Sequence, residues 1–255
     1  GFPSGRDENW RHTNLAPITR VQFEPWVDDQ TGRVDREEIA PFVHDDLDCL
    51  RLVFVNGQYD AQLSDSRASD GVITVANLRE AVVTQSALVD RYLGRNVGAD
   101  QHGFSALNTA FLDDGGFVHI PANVHADQPI HLIFLSATGE APSVTFPRSL
   151  IILEEGAEAT VIETYAGTAD HAYLTNAATE LFLGERTMLQ HSRIQRENNS
   201  AFHIADSYFR QQRGSRLYSH NIDLGARLCR SDIVARLEGE GIESTLNGLY
   251  VAGGE

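Results

Sequence analysis

The chain has 255 residues and a hydrophobic fraction of 42%, enough for a sizeable core and too much for wholesale disorder. A formal net charge of −16 argues against nucleic acid as a partner, because phosphate binding needs clustered cations. All 20 basic residues are arginine, which excludes phosphate loops and Schiff-base chemistry that need a lysine of this chain.

Residues 1–33 hold Arg6-Asp7-Glu8-Asn9-Trp10-Arg11-His12-Thr13 and then a proline-punctuated passage with Trp26. Neither helical nor strand periodicity persists, so an extended arm or short helix docked by its tryptophans is expected, with Asp7 and Glu8 as surface charges. Residues 34–48 start acidic, with Asp35, Glu37 and Glu38 ahead of apolar residues at helical spacing, and predict a short helix. Leu52–Val55 reads as a strand, and the following Asn56-Gly57 suits a tight hairpin turn that needs positive φ. Val72–Val75 is another strand. Asn77 should cap a helix running from about Leu78 to Leu93 and ended by Gly94. Gly103–Leu112 predicts a further helix. Residues 1–112 thus read as a mixed α+β lead-in, and residues 113–255 as something else.

From residue 117 onward, apolar and β-branched runs alternate with a period of two. Gly156, Gly184, Gly214 and Gly241 punctuate them at intervals of 28, 30 and 27. This pattern predicts a solenoid whose coils each contribute more than one strand, and favours a parallel β-helix over a two-sheet sandwich. Aligning the coils on these glycines puts Glu158, Arg186, Arg216 and Glu243 in one row. That row has attractive ends and a repulsive Arg186–Arg216 middle. Four residues further along stand Ile162, Gln190, His220 and Asn247. Residues 242–252 would be the open edge of the stack.

Phosphate loops, GxSxG elbows, HExxH and dinucleotide fingerprints are all missing. The strongest hint of chemistry is the passage 115–134, where His119, His125 and His131 recur every six residues behind Val118, Val124 and Ile130. Evenly spaced imidazoles suggest a metal site. In one straight strand, however, neighbours would stand about 20 Å apart, so only a bend could unite them. His191, His203 and His220 sit in different coils and could meet in a stack. Glu154, Glu155, Glu158 and Glu163 bracket a turn and read as solvated edge charges. Cys229, between Leu228 and Arg230, is either an arginine-assisted thiolate or a small half-buried strand residue. Cys49 and Cys229, 180 residues apart, form neither a zinc motif nor a disulfide framework, and suggest a reducing, cytoplasmic home. No apolar run approaches the roughly 18 to 20 residues of a membrane span.

Several passages together resemble the SufB/SufD family of the SUF iron–sulfur cluster assembly system. They are Phe104-Ser105-Ala106-Leu107-Asn108-Thr109-Ala110-Phe111, Asp114-Gly115-Gly116-Phe117-Val118-His119-Ile120-Pro121, Pro129-Ile130-His131-Leu132, Leu153-Glu154-Glu155-Gly156-Ala157 and Leu246-Asn247-Gly248-Leu249-Tyr250. The arm around Trp10 and the Asn56-Gly57 hairpin resemble SufD in particular. So does Tyr165, which stands where SufB-type sequences usually carry a cysteine.

The resemblance implies a right-handed parallel β-helix after a partly helical N-terminal domain. It implies a non-catalytic scaffold subunit that pairs with a SufB-like subunit and a SufC-like ABC-type ATPase, with self-association left open where SufB is absent. It also implies over a hundred further residues in family members after the equivalent of Glu255, carrying the cluster-related positions, the SufC-docking segment and most of the SufB–SufD contact. The sequence starts without an initiator methionine and stops at Gly253-Gly254-Glu255 directly after a strand-like run, so both ends read as trimmed. No catalytic, cofactor or metal residue is carried over, and whether iron, flavin or a cluster binds transiently is left open. The rival reading is a β-helix enzyme of the hexapeptide acyltransferase kind, suggested by the six-residue spacing. A β-helix polysaccharide lyase would want a signal peptide and aspartate clusters for Ca²⁺.

Overall fold

At one equivalent turn, each coil after residue 115 places a residue with left-handed backbone, and these turns set the register of the stack. Asn123 (φ 59), Gly156 (φ 69), Arg186 (φ 56), Gly214 (φ 67) and Gly241 (φ 68) occupy equivalent places. The computed structural model describes residues 2–26, 34–43, 47–65, 72–97, 102–137, 141–169 and 171–253.

The lead-in holds α1 (Ala16–Thr19), β1 (Glu24–Pro25), α2 (Arg36–Ile39), β2 (Leu50–Val55), β3 (Gln58–Tyr59), β4 (Thr74–Asn77), α3 (Leu78–Thr84), α4 (Ser86–Tyr92) and α5 (Gly103–Ala110). After it come β5 (Gly116–Ile120), β6 (Ile130–Ser136), β7 (Ser143–Thr145), β8 (Arg148–Leu153), β9 (Glu158–Gly167), β10 (Tyr173–Leu183), β11 (Met188–Arg196), β12 (Ala201–Gln212), β13 (Arg216–Asp223), β14 (Leu228–Glu238) and β15 (Glu243–Tyr250).

The chain passes alternately between two sheets. Sheet I takes β5, β7 and β8, β10, β12 and β14; sheet II takes β6, β9, β11, β13 and β15. Coil-to-coil neighbours are parallel throughout, which makes the fold a β-solenoid of about four turns, the expected parallel β-helix rather than a sandwich. The lead-in extends both sheets: β2 adds to β6 in parallel, and β4 pairs antiparallel with β5.

Three outer layers cover the stack. Trp10, Leu15, Ile18 and Phe104 pack on Val144, Leu174, Phe202 and Ile204 of sheet I. Leu78, Ala81 and Val89 cover Phe117, Leu150, Ile152 and Phe182 of the same sheet. Ile39 and Val43 cover Val53, Ile133 and Leu135 of sheet II. One buried ion pair ties helices to sheet: Arg148 lies 2.8 Å from Glu180, which also accepts the backbone N–H groups of Gly94 and Asn96.

Several local expectations hold. Asn56 (φ 51) and Gly57 (φ 86) make the β2–β3 hairpin. Asn77 caps α3 by accepting the Glu80 N–H at 2.7 Å. Asp35 and Glu38 form a reciprocal capping box on α2; residues 44–46 of the predicted 34–48 helix lie outside the described residues.

Other expectations are corrected. The helix predicted over 78–93 breaks at Gln85 (φ −126, ψ 33), after the β-branched run Val82-Val83-Thr84, whose stiff side chains disfavour helix. Only Trp10 docks deeply; Trp26 is half-buried. The glycine alignment slips by two residues in the coil of Gly184, because the left-handed turn there belongs to Arg186. Gly184 serves another need: a Cβ on it would stand 2.9 Å from the Glu155 nitrogen. The true row is Glu158, Met188, Arg216, Glu243, so Arg216 lies between a neutral and an opposite neighbour and the supposed Arg186–Arg216 repulsion vanishes. The row four further on is Ile162, Ser192, His220 and Asn247, with His220 and Asn247 hydrogen bonded at 3.3 Å.

Candidate functional site

The inward rows of sheet II change character as the stack rises. One row runs Phe54, Phe134, Tyr165, Gln195, Asp223; the next runs Leu52, Leu132, Glu163, Arg193, Asn221; a third runs Leu50, Ile130, Val161, His191, Ser219. Each begins apolar and turns polar in the third or fourth coil. The lower part is a stack of rings: Phe54 on Phe134 at 4.9 Å and Phe134 on Tyr165 at 5.0 Å, both near-parallel.

Above the rings lies a charged core. Glu163 meets His191 Nε2 at 2.9 Å and accepts hydrogen bonds from Ser149 (2.5 Å), Thr179 (3.0 Å) and Tyr165 (3.4 Å). Burial alone would raise its carboxyl, but the hydrogen bond and charge of His191, with the two hydroxyls, hold it below the ordinary 4.5. The Tyr165 phenol is pushed well up by burial and by Glu163, so it stays protonated.

One step higher, Arg193 donates to His203 Nε2 at 3.0 Å, to Asp223 at 2.6 Å and to Ser231 at 2.5 Å. Because Nε2 accepts from a guanidinium, the proton of neutral His203 sits on Nδ1, which faces Glu197 at 2.7 Å. Thr175 and Gln195 complete the Glu197 carboxylate at 2.5 and 3.0 Å. Glu163, His191 and His203 are 0% exposed and Arg193 is 1% exposed. Such a core can store charge and fix register, but a bulk substrate cannot reach it.

The family assignment then follows from comparison with known proteins. The family model described as "SufBD protein N-terminal region" matches residues 1–132, and the one described as "SUF system FeS cluster assembly, SufBD core domain" matches residues 134–255. An iron-sulfur cluster assembly SufBD family protein of Synechocystis is 30% identical, covering 99% of this chain and 57% of its own length. The chain belongs to the SufBD family.

Among other SufBD relatives, the iron-sulfur cluster assembly protein SufD of Escherichia coli is 26% identical over 98% of this chain and 55% of itself. SufD of Bacillus subtilis is 25% identical over 73% of this chain and 42% of itself. This SufBD chain therefore spans about half the length of the curated relatives it matches.

Within the SufBD solenoid, the three evenly spaced histidines go to separate partners. His119 on β5 binds Glu154 at 3.0 Å, exposed His125 lies 3.9 Å from Glu158, and buried His131 on β6 binds Thr164 at 2.8 Å. His191 and His203 both enter the charged core, from opposite sheets, while His220 points to solvent.

Glu163 is no edge charge: it shares strand parity with Val161 and Tyr165, so the pleat turns it inward. Glu155 remains an exposed surface charge paired with Arg186, as expected of the turn. Cys229 is the half-buried residue and not a thiolate: burial, Asp223 and Glu197 outweigh Arg193 and Ser231 and raise its thiol to about 12. Cys49 and Cys229 are both free. Sequence reasoning missed Arg193, Glu197 and Asp223; the parity that places Arg193 beside Leu189 and His191 was the available signal. No helix among the described residues is long and apolar enough to cross a membrane.

Proposed function

We propose that this chain acts as a non-catalytic scaffold in SUF iron–sulfur cluster assembly, pairing with a SufB-like subunit and a SufC-like ABC-type ATPase. The observation carrying this reading is the end-to-end match of the two SufBD family models in chain order, on a solenoid with a charged interior. Support for a non-catalytic role comes from the core itself. Its glutamates and histidines are buried, its tyrosine is a protonated packing residue, and its nearest cysteine is a protonated thiol. In this reading, residues 1–112 are a lead-in docked on the stack, residues 113–255 form the platform, and the cytoplasm keeps both cysteines reduced.

Co-expression with SufB-like and SufC-like subunits tests the proposal. Stoichiometric co-elution of all three, with ATP hydrolysis confined to the SufC-like subunit, is the expected result. Absence of a complex at micromolar concentrations, or turnover by this chain alone in acetyl-transfer assays, would overturn it.

A further inference from the structure

Outside the solenoid, the N-terminal arm, the start of α5 and the outer face of sheet I enclose an open cavity of about 1120 Å³. On its floor stand His102, Asp206 and Asp232. Their ligand atoms lie within 4.8 Å of one another, and no other three His, Cys, Asp or Glu residues among the described ones meet that geometry. Each comes from a different, firmly placed element. His102 caps α5 through a 3.3 Å hydrogen bond from the Ser105 N–H to Nδ1. Asp206 lies on β12, and Asp232 is its direct cross-strand partner on β14.

That last pairing is the informative one. Two carboxylates facing each other across neighbouring strands repel, and a sheet built for stability alone would not set them there. Arg230 grips Asp232 through two contacts of 2.9 Å, is held by Thr13 and lies 3.9 Å from the Trp10 ring, so its charge is committed. Asp206, whose side chain is 4% exposed, has no arginine partner among the described residues. Its contacts are His102 Nε2 at 3.2 Å and the Ser105 hydroxyl at 2.9 Å, which itself lies 3.3 Å from the Tyr208 hydroxyl. A buried carboxylate of this kind lacks a positive charge, and the cavity opens directly onto it.

We propose that His102, Asp206 and Asp232 bind one divalent first-row transition cation, of the Mn²⁺, Fe²⁺, Co²⁺ and Zn²⁺ class. One imidazole and two carboxylates form a mixed nitrogen and oxygen donor set suited to these ions, and three protein ligands leave positions for water from the cavity. Loading requires His102 to present the lone pair of Nε2, so its proton moves to Nδ1. The long Ser105 N–H contact is given up, and Nδ1–H then donates to the Ser105 hydroxyl, already 3.3 Å away. That hydroxyl, backed by the Tyr208 hydroxyl, bonds Asp206, while Arg230 orients Asp232, an outer shell of the sort that aligns metal ligands. This inference does not depend on the scaffold reading, because the site can be loaded in the absence of any partner.

The test uses chelator-stripped protein titrated with Mn²⁺, with free ion read by electron paramagnetic resonance, and with Co²⁺ read by visible absorption. One Mn²⁺ per chain is expected, with affinity at least about tenfold weaker in Asp206→Asn and in Asp232→Asn. The Co²⁺ bands should shift in His102→Gln, which removes the nitrogen ligand, and stay unchanged in His119→Gln, a half-buried histidine–carboxylate pair elsewhere. Asp232 is the more exposed carboxylate, so its variant reads the site even where Asp206→Asn fails to fold by circular dichroism. Absence of stoichiometric binding, or equal binding by wild type and Asp232→Asn, would overturn the proposal.

Discussion

The buried Arg148–Glu180 pair should carry a large share of the stability with which the helical lead-in is held to the solenoid. Both side chains are essentially inaccessible, at 1% and 0% exposure. Arg148 Nη2 and Nε reach one Glu180 oxygen at 2.8 and 3.2 Å, and Nη1 reaches Asn108 at 2.9 Å. Arg148→Met keeps much of the volume and removes the charge, which leaves Glu180 buried without a cation. Breaking one side of such a pair costs about 3–5 kcal/mol. The Gly94 and Asn96 N–H groups still support the carboxylate, at 2.8 and 3.0 Å, so the lower end, about 3 kcal/mol, is expected. A domain's whole stability is about 5–15 kcal/mol, so the loss should be plain in urea denaturation as a lower midpoint at unchanged slope. Replacing both groups, as Arg148→Met with Glu180→Leu, removes the stranded charge and should cost less than the two single changes added together. A loss below about 1 kcal/mol for Arg148→Met, or simple additivity in the double variant, would refute the reasoning.

Three more outcomes follow from the structure. Arg186→Gly should lie between neutral and about 1 kcal/mol more stable, because glycine accepts φ 56 freely while the lost surface ion pairs contribute little, whereas Arg186→Val should lose stability. A valine variant more stable than the glycine variant would contradict the left-handed turn. Glu163 titrates below its ordinary 4.5 in the fold, so its stabilisation is full above the unfolded value and disappears as pH falls through the folded one. Wild type should therefore outlast Glu163→Gln in urea at pH 7, with the gap closing below about pH 4.5; a gap independent of pH would argue against the Glu163–His191 pair. In a Cys49→Ser background, Cys229 should alkylate slowly at pH 7 and faster as pH rises, in keeping with a thiol near 12. Rapid labelling at neutral pH would show a thiolate.

Period-two alternation, the Asn56-Gly57 turn and the Asn77 cap were legible because each depends on a few adjacent residues. The coil register was only half legible. Left-handed backbone marks the repeat, and asparagine at 123 and arginine at 186 adopt it as glycine does at 156, 214 and 241. An alignment on glycine alone slips to Gly184, whose missing side chain answers a close backbone approach. The helix break at Gln85 lies in the same class: three β-branched residues signal weak helix, but where it breaks is set by packing on sheet I. The charged core was hidden for a different reason. Glu163, Arg193 and Glu197 look like surface residues singly, and become an interior network only when parity and register bring them opposite His191 and His203. The His102, Asp206 and Asp232 cluster needs contacts more than a hundred residues apart, and no local pattern predicts them.

Native mass spectrometry of this protein mixed with a SufB-like subunit and a SufC-like ATPase tests the scaffold assignment most directly. One discrete assembly containing all three chains, formed at micromolar concentration and without turnover by this chain, is expected. Free subunits only, in a mixture where each is folded, would contradict it.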